Sequence, residues 1–232
     1  MKQAVYVKAE LVQQGIKVIK VVYDVDDVLW GLDDYVMEFL GLDINDNIEY
    51  RISKSPIFTA KERKAIIDCF CDAKMFENME FYPGADKITD VEKYGATVRI
   101  HSNCYSDAIA EQKRRQLYAL LPQMKRSFIK LLTVSPTADQ KQVDQDAYIF
   151  VDDCPYNVAL SMAKFNFVPR KPWNLTTKAK DTMTADGKQI LEAETCDFVS
   201  LINSRHRYII YAKDLQHINQ AVIDIAKIKQ RS

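Results

Sequence analysis

Lys17-Val-Ile-Lys-Val-Val-Tyr-Asp24-Val-Asp26-Asp27-Val-Leu29 is the stretch whose reading decides the fold. Its first part is rich in β-branched residues and ends in Val21-Val-Tyr23, the pattern of a strand buried on both faces in a parallel sheet. The strand runs straight into acids. A carboxylate taken out of water is costly unless something compensates it, so acids set directly after a buried strand call for an explanation. Successive side chains of an extended chain point to opposite sides. Asp24 and Asp26 are therefore expected to share a side, with Val25 toward the core. Like charges that close repel, so either a cation holds both ionised or one takes a proton.

The pattern repeats further on. Thr97-Val-Arg-Ile100 reads as a second strand leading into His101-Ser102-Asn103, and Ala147-Tyr-Ile-Phe-Val151 as a fourth ending in Asp152-Asp153. Phe128-Ile-Lys-Leu-Leu-Thr-Val134 supplies a third strand and residues 165–168 a short fifth. Helices are expected over 29–41, from the capping-box sequence Thr59-Ala-Lys-Glu62 onward, over 85–94 up to Gly95, over 105–121, over 156–164, and from about 213 to the end. Strands alternating with helices predict an α/β protein, a Rossmann-like parallel sheet with helices on both faces. Such sheets bind ligands beyond the carboxyl ends of their strands, where the three polar clusters would meet.

Composition narrows the function classes. Lysine plus arginine equals aspartate plus glutamate, 32 each, so no global charge draws the chain to a nucleic acid polymer or an anionic membrane. The triplet Lys113-Arg-Arg115 is read as a solvated face. No apolar window has the length of a membrane span or a secretory signal, and a cytoplasmic location is expected. Five irregularly spaced cysteines and three histidines argue against zinc and for reduced, mostly buried thiols.

The acids suit a hard divalent cation. Magnesium takes oxygen ligands and is commonly held by one or two carboxylates plus substrate phosphate. The expected chemistry is attack by Asp24 on phosphorus to form an aspartyl phosphate, with Asp26 as proton donor and then acceptor. Ser102 would hold a phosphoryl oxygen, a lysine would neutralise charge there, and Asp152 and Asp153 would complete the Mg2+ site.

Tyr-Asp24-Val-Asp26-Asp27-Val-Leu, Ile-His-Ser102-Asn103 and Phe-Val-Asp152-Asp153 resemble, in type and order, the first, second and fourth motifs of the haloacid dehalogenase-like phosphohydrolases. The resemblance spans roughly residues 17–170. It implies a magnesium-dependent phosphatase acting on a small phosphorylated metabolite, with a phosphoryl transferase or mutase, or a catalytically silent binding protein, as alternatives. It also implies that Asp26 reaches the metal through its backbone carbonyl. The long segment between the first two motifs looks like a small helical cap, 29–80, inserted into a core of 1–28 and 81–232. Phe81-Tyr-Pro-Gly84 and Pro172-Trp173-Asn174 resemble the 5′(3′)-deoxyribonucleotidase branch, which implies a nucleoside monophosphate substrate. Two departures stand out: Asp27 occupies the place of a common glycine, and Ser102-Asn103 replaces the Thr-Ser pair usual in the nucleotidases.

The remaining expectations concern single residues. Lys141, eleven residues before Asp152, is preferred to Lys130 as the motif lysine. Asn103 is expected to orient the phosphate loop or touch substrate. Trp30 is read either as core or as an aromatic offered to a substrate, and Tyr50 and Arg51, in the cap's loop, as surface residues able to read a leaving group. Asp33 and Asp34 are expected on a solvated helix face, His101 in the core, Asn157 as a helix cap in preference to a support for the acidic pair, and Trp173 in packing.

Overall fold

The computed structural model describes residues 18–43, 49–134 and 146–231. Among these, seven strands form one sheet: β1 (Lys20–Tyr23), β2 (Thr97–Cys104), β3 (Ile129–Thr133), β4 (Ile149–Val151), β5 (Phe165–Pro169), β6 (Gln189–Glu192) and β7 (Tyr208–Ala212). Their order is β3-β2-β1-β4-β5-β7-β6, and every pairing is parallel. Chain order reverses across the β1–β4 pair, the topological switch point at which open α/β sheets form their crevice.

Helices cover both faces. Among the described residues these are α1 (Leu32–Leu40), α2 (Ala60–Cys71), α3 (Asp107–Leu120), α4 (Pro155–Leu160), α5 (Thr177–Thr184), α6 (Phe198–Asn203) and α7 (Leu215–Arg231). Side-chain alternation divides the strands between them. Val21 and Tyr23 join the large core cluster with Ile218, Val222 and Ile225 of α7. Val22 points the other way, to Phe150 and Ala163, and Ile209 and Tyr211 of β7 meet Val158 of α4 and Met183 of α5. The Tyr23 hydroxyl donates to Asn219 Oδ1 at 3.1 Å, and Asn219 donates to the Gly84 carbonyl at 2.8 Å. One buried chain of hydrogen bonds thus joins β1 to α7 and to the Pro83-Gly84 turn.

The segment after β1 is helical, as expected. It holds α1, a 3-10 turn Ile52–Lys54, α2 and a second 3-10 turn Ala73–Phe76. Thr59 and Glu62 form the capping box that opens α2: Thr59 N–H donates to Glu62 Oε2 at 2.7 Å, and Glu62 N–H to Thr59 Oγ1 at 3.3 Å. Val36, Met37, Ile52 and Ile66 from this segment belong to the same apolar cluster as the sheet.

Four expectations need correction. Residues 85–94 wind as 3-10 turns instead of an α-helix, closed at Gly95 with φ 78°. Helix α4 stops at Leu160, short of residue 164. β2 continues through Ser102 and Asn103, so these residues lie in the strand. β6 and β7 were not anticipated: β7 is a short apolar run that periodicity cannot separate from a buried helix turn, and β6 is an edge strand with a weak pattern. β7 is fully buried, so Ile210→Ala should destabilise the protein by about 2–5 kcal/mol in urea unfolding. A loss below about 1 kcal/mol would contradict its place in the core.

Candidate active site at the carboxyl edge of the sheet

Strand register builds the site. Tyr23 pairs with Ile100 on one side and Val151 on the other, so Asp24 and Asp152 leave the sheet at the same level. The Asp24 N–H donates to the Val151 carbonyl at 2.9 Å, which fixes the nucleophile candidate against β4. Asp24, Asp152 and Asp153 are all buried, and ligand oxygens from the three lie within 4.8 Å of one another.

Their neighbours hold this arrangement. Asn157 Nδ2 donates to both carboxylate oxygens of Asp152 at 3.0 Å, and Cys154 N–H donates to Asp152 Oδ1 at 2.9 Å. Asn157 therefore supports the acidic pair, the second of its two readings, and the preferred reading as a cap of α4 is corrected. Trp173 Nε1 donates to Asp153 Oδ2 at 3.2 Å, while Asn174 Nδ2 donates to the carbonyls of Asp153 and Pro169. The Pro172-Trp173-Asn174 element thus acts as a clamp on the end of β4. Burial, reinforced by Asp27, Asp152 and Asp24, pushes the Asp153 carboxyl well above the usual carboxylate range. Three hard oxygen donors with too much negative charge among them fit a divalent cation of the magnesium type.

Asp26 lies apart from that cluster. Its Oδ1 accepts from the Trp30 indole N–H at 2.8 Å, and its Oδ2 pairs with Lys113 Nζ at 2.5 Å. The same ammonium donates to Ser102 Oγ and to the Asn103 carbonyl, each at 3.2 Å. Burial works against the Lys113 ammonium, but Asp26 and Cys104 together lift it above the ordinary lysine value. Lys113 therefore ties the first cluster to the second, with its side chain 1% exposed. Its reading as part of a solvated face is wrong. The signal was present: Ile109, Lys113 and Leu117 recur at the spacing of one helix face, and all three are buried on α3. Lys130 is exposed on β3, and Lys141 lies outside the described residues.

The backbone explains the residue after Asp26. Asp27 has φ 55°, in the left-handed region that glycine enters freely and aspartate tolerates better than most. Asp27 Oδ1 accepts from the Asp33 N–H at 3.3 Å and lies 4.0 Å from Lys171 Nζ. Burial pushes Asp27 up to about 7, with Lys171 opposing and Asp26 and Asp34 adding to the rise. Asp33 sits with Val36 and Met37 on the inner face of α1, so its reading as solvated is also corrected. Asp34 is exposed, as expected, and meets Tyr82 and Lys171.

Trp30 is fully buried and packs on Phe81 at 5.3 Å between centroids, so it presents no ring face to a ligand. It orients Asp26 instead. Tyr50 and Arg51 line a cavity of about 610 Å3 together with Asp24, Asp26, Ser102 and Asn103. Burial raises the Tyr50 hydroxyl well above the usual value, with Cys154, Asp153 and Asp152 adding to the rise. Asn103 Oδ1 is buried without a hydrogen-bond partner among the described residues, and its residue faces that cavity. His101 is buried in the core.

No protein-family model and no curated protein matches the chain. Three solved structures share parts of its shape. A haloacid dehalogenase-like family hydrolase of Streptococcus pneumoniae is 12% identical, covering 87% of this chain and 96% of its own, with a TM-score of 0.46. A protein of Bacteroides vulgatus provisionally named a β-phosphoglucomutase is 13% identical over 97% of this chain and 98% of its own, at 0.46. A protein of Bacteroides fragilis provisionally named a haloacid dehalogenase-like hydrolase is 15% identical over 84% and 97%, at 0.38. Among the described residues, no helix is long and apolar enough to cross a membrane.

The Asp27 carboxyl carries a testable consequence. Its folded value of about 7 lies above its ordinary 3.8, so the folded chain binds more protons in that window, and stability falls as pH rises through it. Asp27→Asn keeps the acceptor for Asp33 and the tolerance for positive φ. In chelator-treated protein, the stability of the variant relative to the parent should grow as pH rises from about 3.8 to about 7, followed by urea unfolding. A difference that shrinks or stays flat with pH would contradict the burial of a charge that Lys171 offsets only in part.

Proposed function

We propose that the chain is a phosphomonoesterase that works through an aspartyl phosphate on Asp24, in the manner of the haloacid dehalogenase-like phosphohydrolases. The observation that carries this reading is the convergence, at one sheet edge, of a buried acidic triad with a second carboxylate, Asp26, held by a buried lysine. Asp24 attacks phosphorus; the bond to the leaving oxygen breaks, and the phosphoryl group is carried on the Asp24 carboxylate. Asp26, taking up a proton as the phosphoryl oxygens draw the Lys113 ammonium to themselves, gives that proton to the leaving oxygen, then takes one from the water that cleaves the acyl phosphate. Trp30 and Lys113 fix the orientation of the Asp26 carboxyl. Lys113 also offers positive charge to the phosphoryl oxygens, one of which would take the place of a present acceptor, and Ser102 and Asn103 supply polar contacts beside it.

Asp24, Asp152 and Asp153, with the Asp26 carbonyl that the resemblance implies, would hold Mg2+. Bound there, the ion neutralises phosphate charge so that an anionic carboxylate can approach. The small helical cap, residues 29–80, supplies the leaving-group side of the cavity, and the substrate is a small soluble phosphate ester. A nucleoside monophosphate is the narrower version of this reading, supported only by the sequence resemblance around Phe81 and Pro172, since Trp30, read from sequence either as core or as an aromatic offered to a substrate, is buried.

Phosphate release from para-nitrophenyl phosphate, sugar phosphates and nucleoside monophosphates, with magnesium and with a chelator, tests the reading. Release should need the metal, fall at least about thousandfold in Asp24→Asn, and fall about 100- to 1,000-fold in Lys113→Met. Undiminished release in Asp24→Asn would overturn the assignment. Transfer of the phosphoryl group to an added sugar without phosphate release would make the protein a transferase.

A further inference from the structure

The buried Lys113 ammonium has more around it than hydrogen-bond acceptors. Each of its N–H groups has a partner: Asp26 Oδ2, Ser102 Oγ and the Asn103 carbonyl. The charge also stands over two aromatic rings, 5.3 Å from the centre of Phe76 and 5.9 Å from the centre of Trp30. Both lie within the roughly 6 Å over which the electron-rich face of a ring attracts a cation. Trp30 is engaged twice, since its indole N–H donates to Asp26. The Phe76 side chain has no polar group to offer, yet it lines the cavity that holds Asp24, Asp26 and Ser102.

Local chemistry fixes that ring. Asp72 Oδ1 accepts from the Lys74 N–H at 2.9 Å and opens the 3-10 turn Ala73–Phe76. Gln116 Nε2 donates to the Phe76 carbonyl, and Gln112 Nε2 to Glu77 Oε1 at 3.4 Å. Lys113 and Gln116 are neighbours on the surface of α3, so the helix that supplies the ammonium also holds the backbone that carries the ring. Packing alone explains a buried phenylalanine, and Phe76 does belong to the large apolar cluster. Packing does not account for an ammonium set over the ring. Burial disfavours the Lys113 charge, and a ring face offsets this without taking an N–H from the acceptors.

In the proposed reaction Lys113 exchanges partners, turning from Asp26 toward a phosphoryl oxygen. Hydrogen bonds are directional and break during such a turn. Attraction to a ring face acts on the charge and on no single N–H, so it persists. We propose that Phe76 is a positioning residue of the reaction: its ring face, together with Trp30, holds the Lys113 ammonium in place while its hydrogen-bond partners exchange. This deepens the phosphatase reading and rests on it for that exchange.

The test replaces Phe76 in the full chain with mono-, di- and trifluorophenylalanine in turn. Each fluorine withdraws negative potential from the ring face, while shape and apolar character change little. With para-nitrophenyl phosphate and magnesium, kcat/KM should fall stepwise, by about tenfold over the series, the scale of a desolvated cation–π contact. The urea midpoint should stay at that of the parent. Affinity for inorganic phosphate, measured by calorimetry with magnesium, should fall in the same order, and Phe76→Leu, which loses the ring, should lose as much or more. A flat series would overturn the proposal even where Phe76→Leu is impaired, because the ring would then serve packing alone. So would a urea midpoint that falls in step with the rate. Should the parent release no phosphate from any ester, the phosphate affinities decide. A stepwise loss would sink the phosphatase reading and leave the Phe76–Lys113 pair standing as part of an anion site, whereas equal affinities, or no binding, would sink both.

Discussion

Mutual repulsion among buried carboxylates is the constraint on which the rest of this structure depends. Parallel register sends Asp24 and Asp152 off the sheet side by side, and the turn after Asp26 brings Asp27 and Asp33 close behind. Left alone, such a set would take up protons or draw in water. The fold answers with fixed donors: Asn157 and the Cys154 amide on Asp152, Trp173 on Asp153, Lys171 near Asp27, and Lys113 with Trp30 on Asp26. None of these neutralises the triad of Asp24, Asp152 and Asp153 as a cation among its oxygens would. The excess of negative charge is local, and it lies where a phosphate ester must be received.

Two acids of the loop that follows β1 are thereby given different environments. Asp24 sits among carboxylates, and Asp26 sits against an ammonium and an indole N–H. Alternation along the strand predicts that they share a side, and both do face one cavity. It does not predict that one joins a metal-type cluster while the other pairs with α3. That division separates a nucleophile from a proton carrier, and it depends on a lysine supplied from another element.

Much of this was legible in the sequence, and the limits are instructive. The five anticipated strands and their polar ends were readable because buried parallel strands are near-continuous apolar runs, and acids placed after them stand out. Gly95 and the Thr59–Glu62 box marked their termini through local chemistry. Lys113 was misread because its neighbours Arg114 and Arg115 suggested a charged patch; the i, i+4, i+8 spacing of Ile109, Lys113 and Leu117 placed it inward. Asp33 was misread in the same way. Trp173 acts on Asp153 across a distance in sequence that no local pattern encodes, Asn157 lies near enough to Asp152 that the sequence offers both of its readings without deciding between them, and β7 needed the sheet around it to be distinguished from a helical turn. Local rules thus reached the strand ends, while the partners that tune them came from tertiary packing.

The account stands or falls on covalent chemistry at Asp24. The direct measurement is acid quenching of the protein during turnover of para-nitrophenyl phosphate with magnesium, borohydride reduction, and peptide mass spectrometry. An aspartyl phosphate at residue 24 would be reduced to homoserine, and the account predicts that conversion at position 24 alone, absent in Asp24→Asn. Turnover with no reduced residue at 24, or with reduction at Asp26 or Asp153 instead, would contradict it.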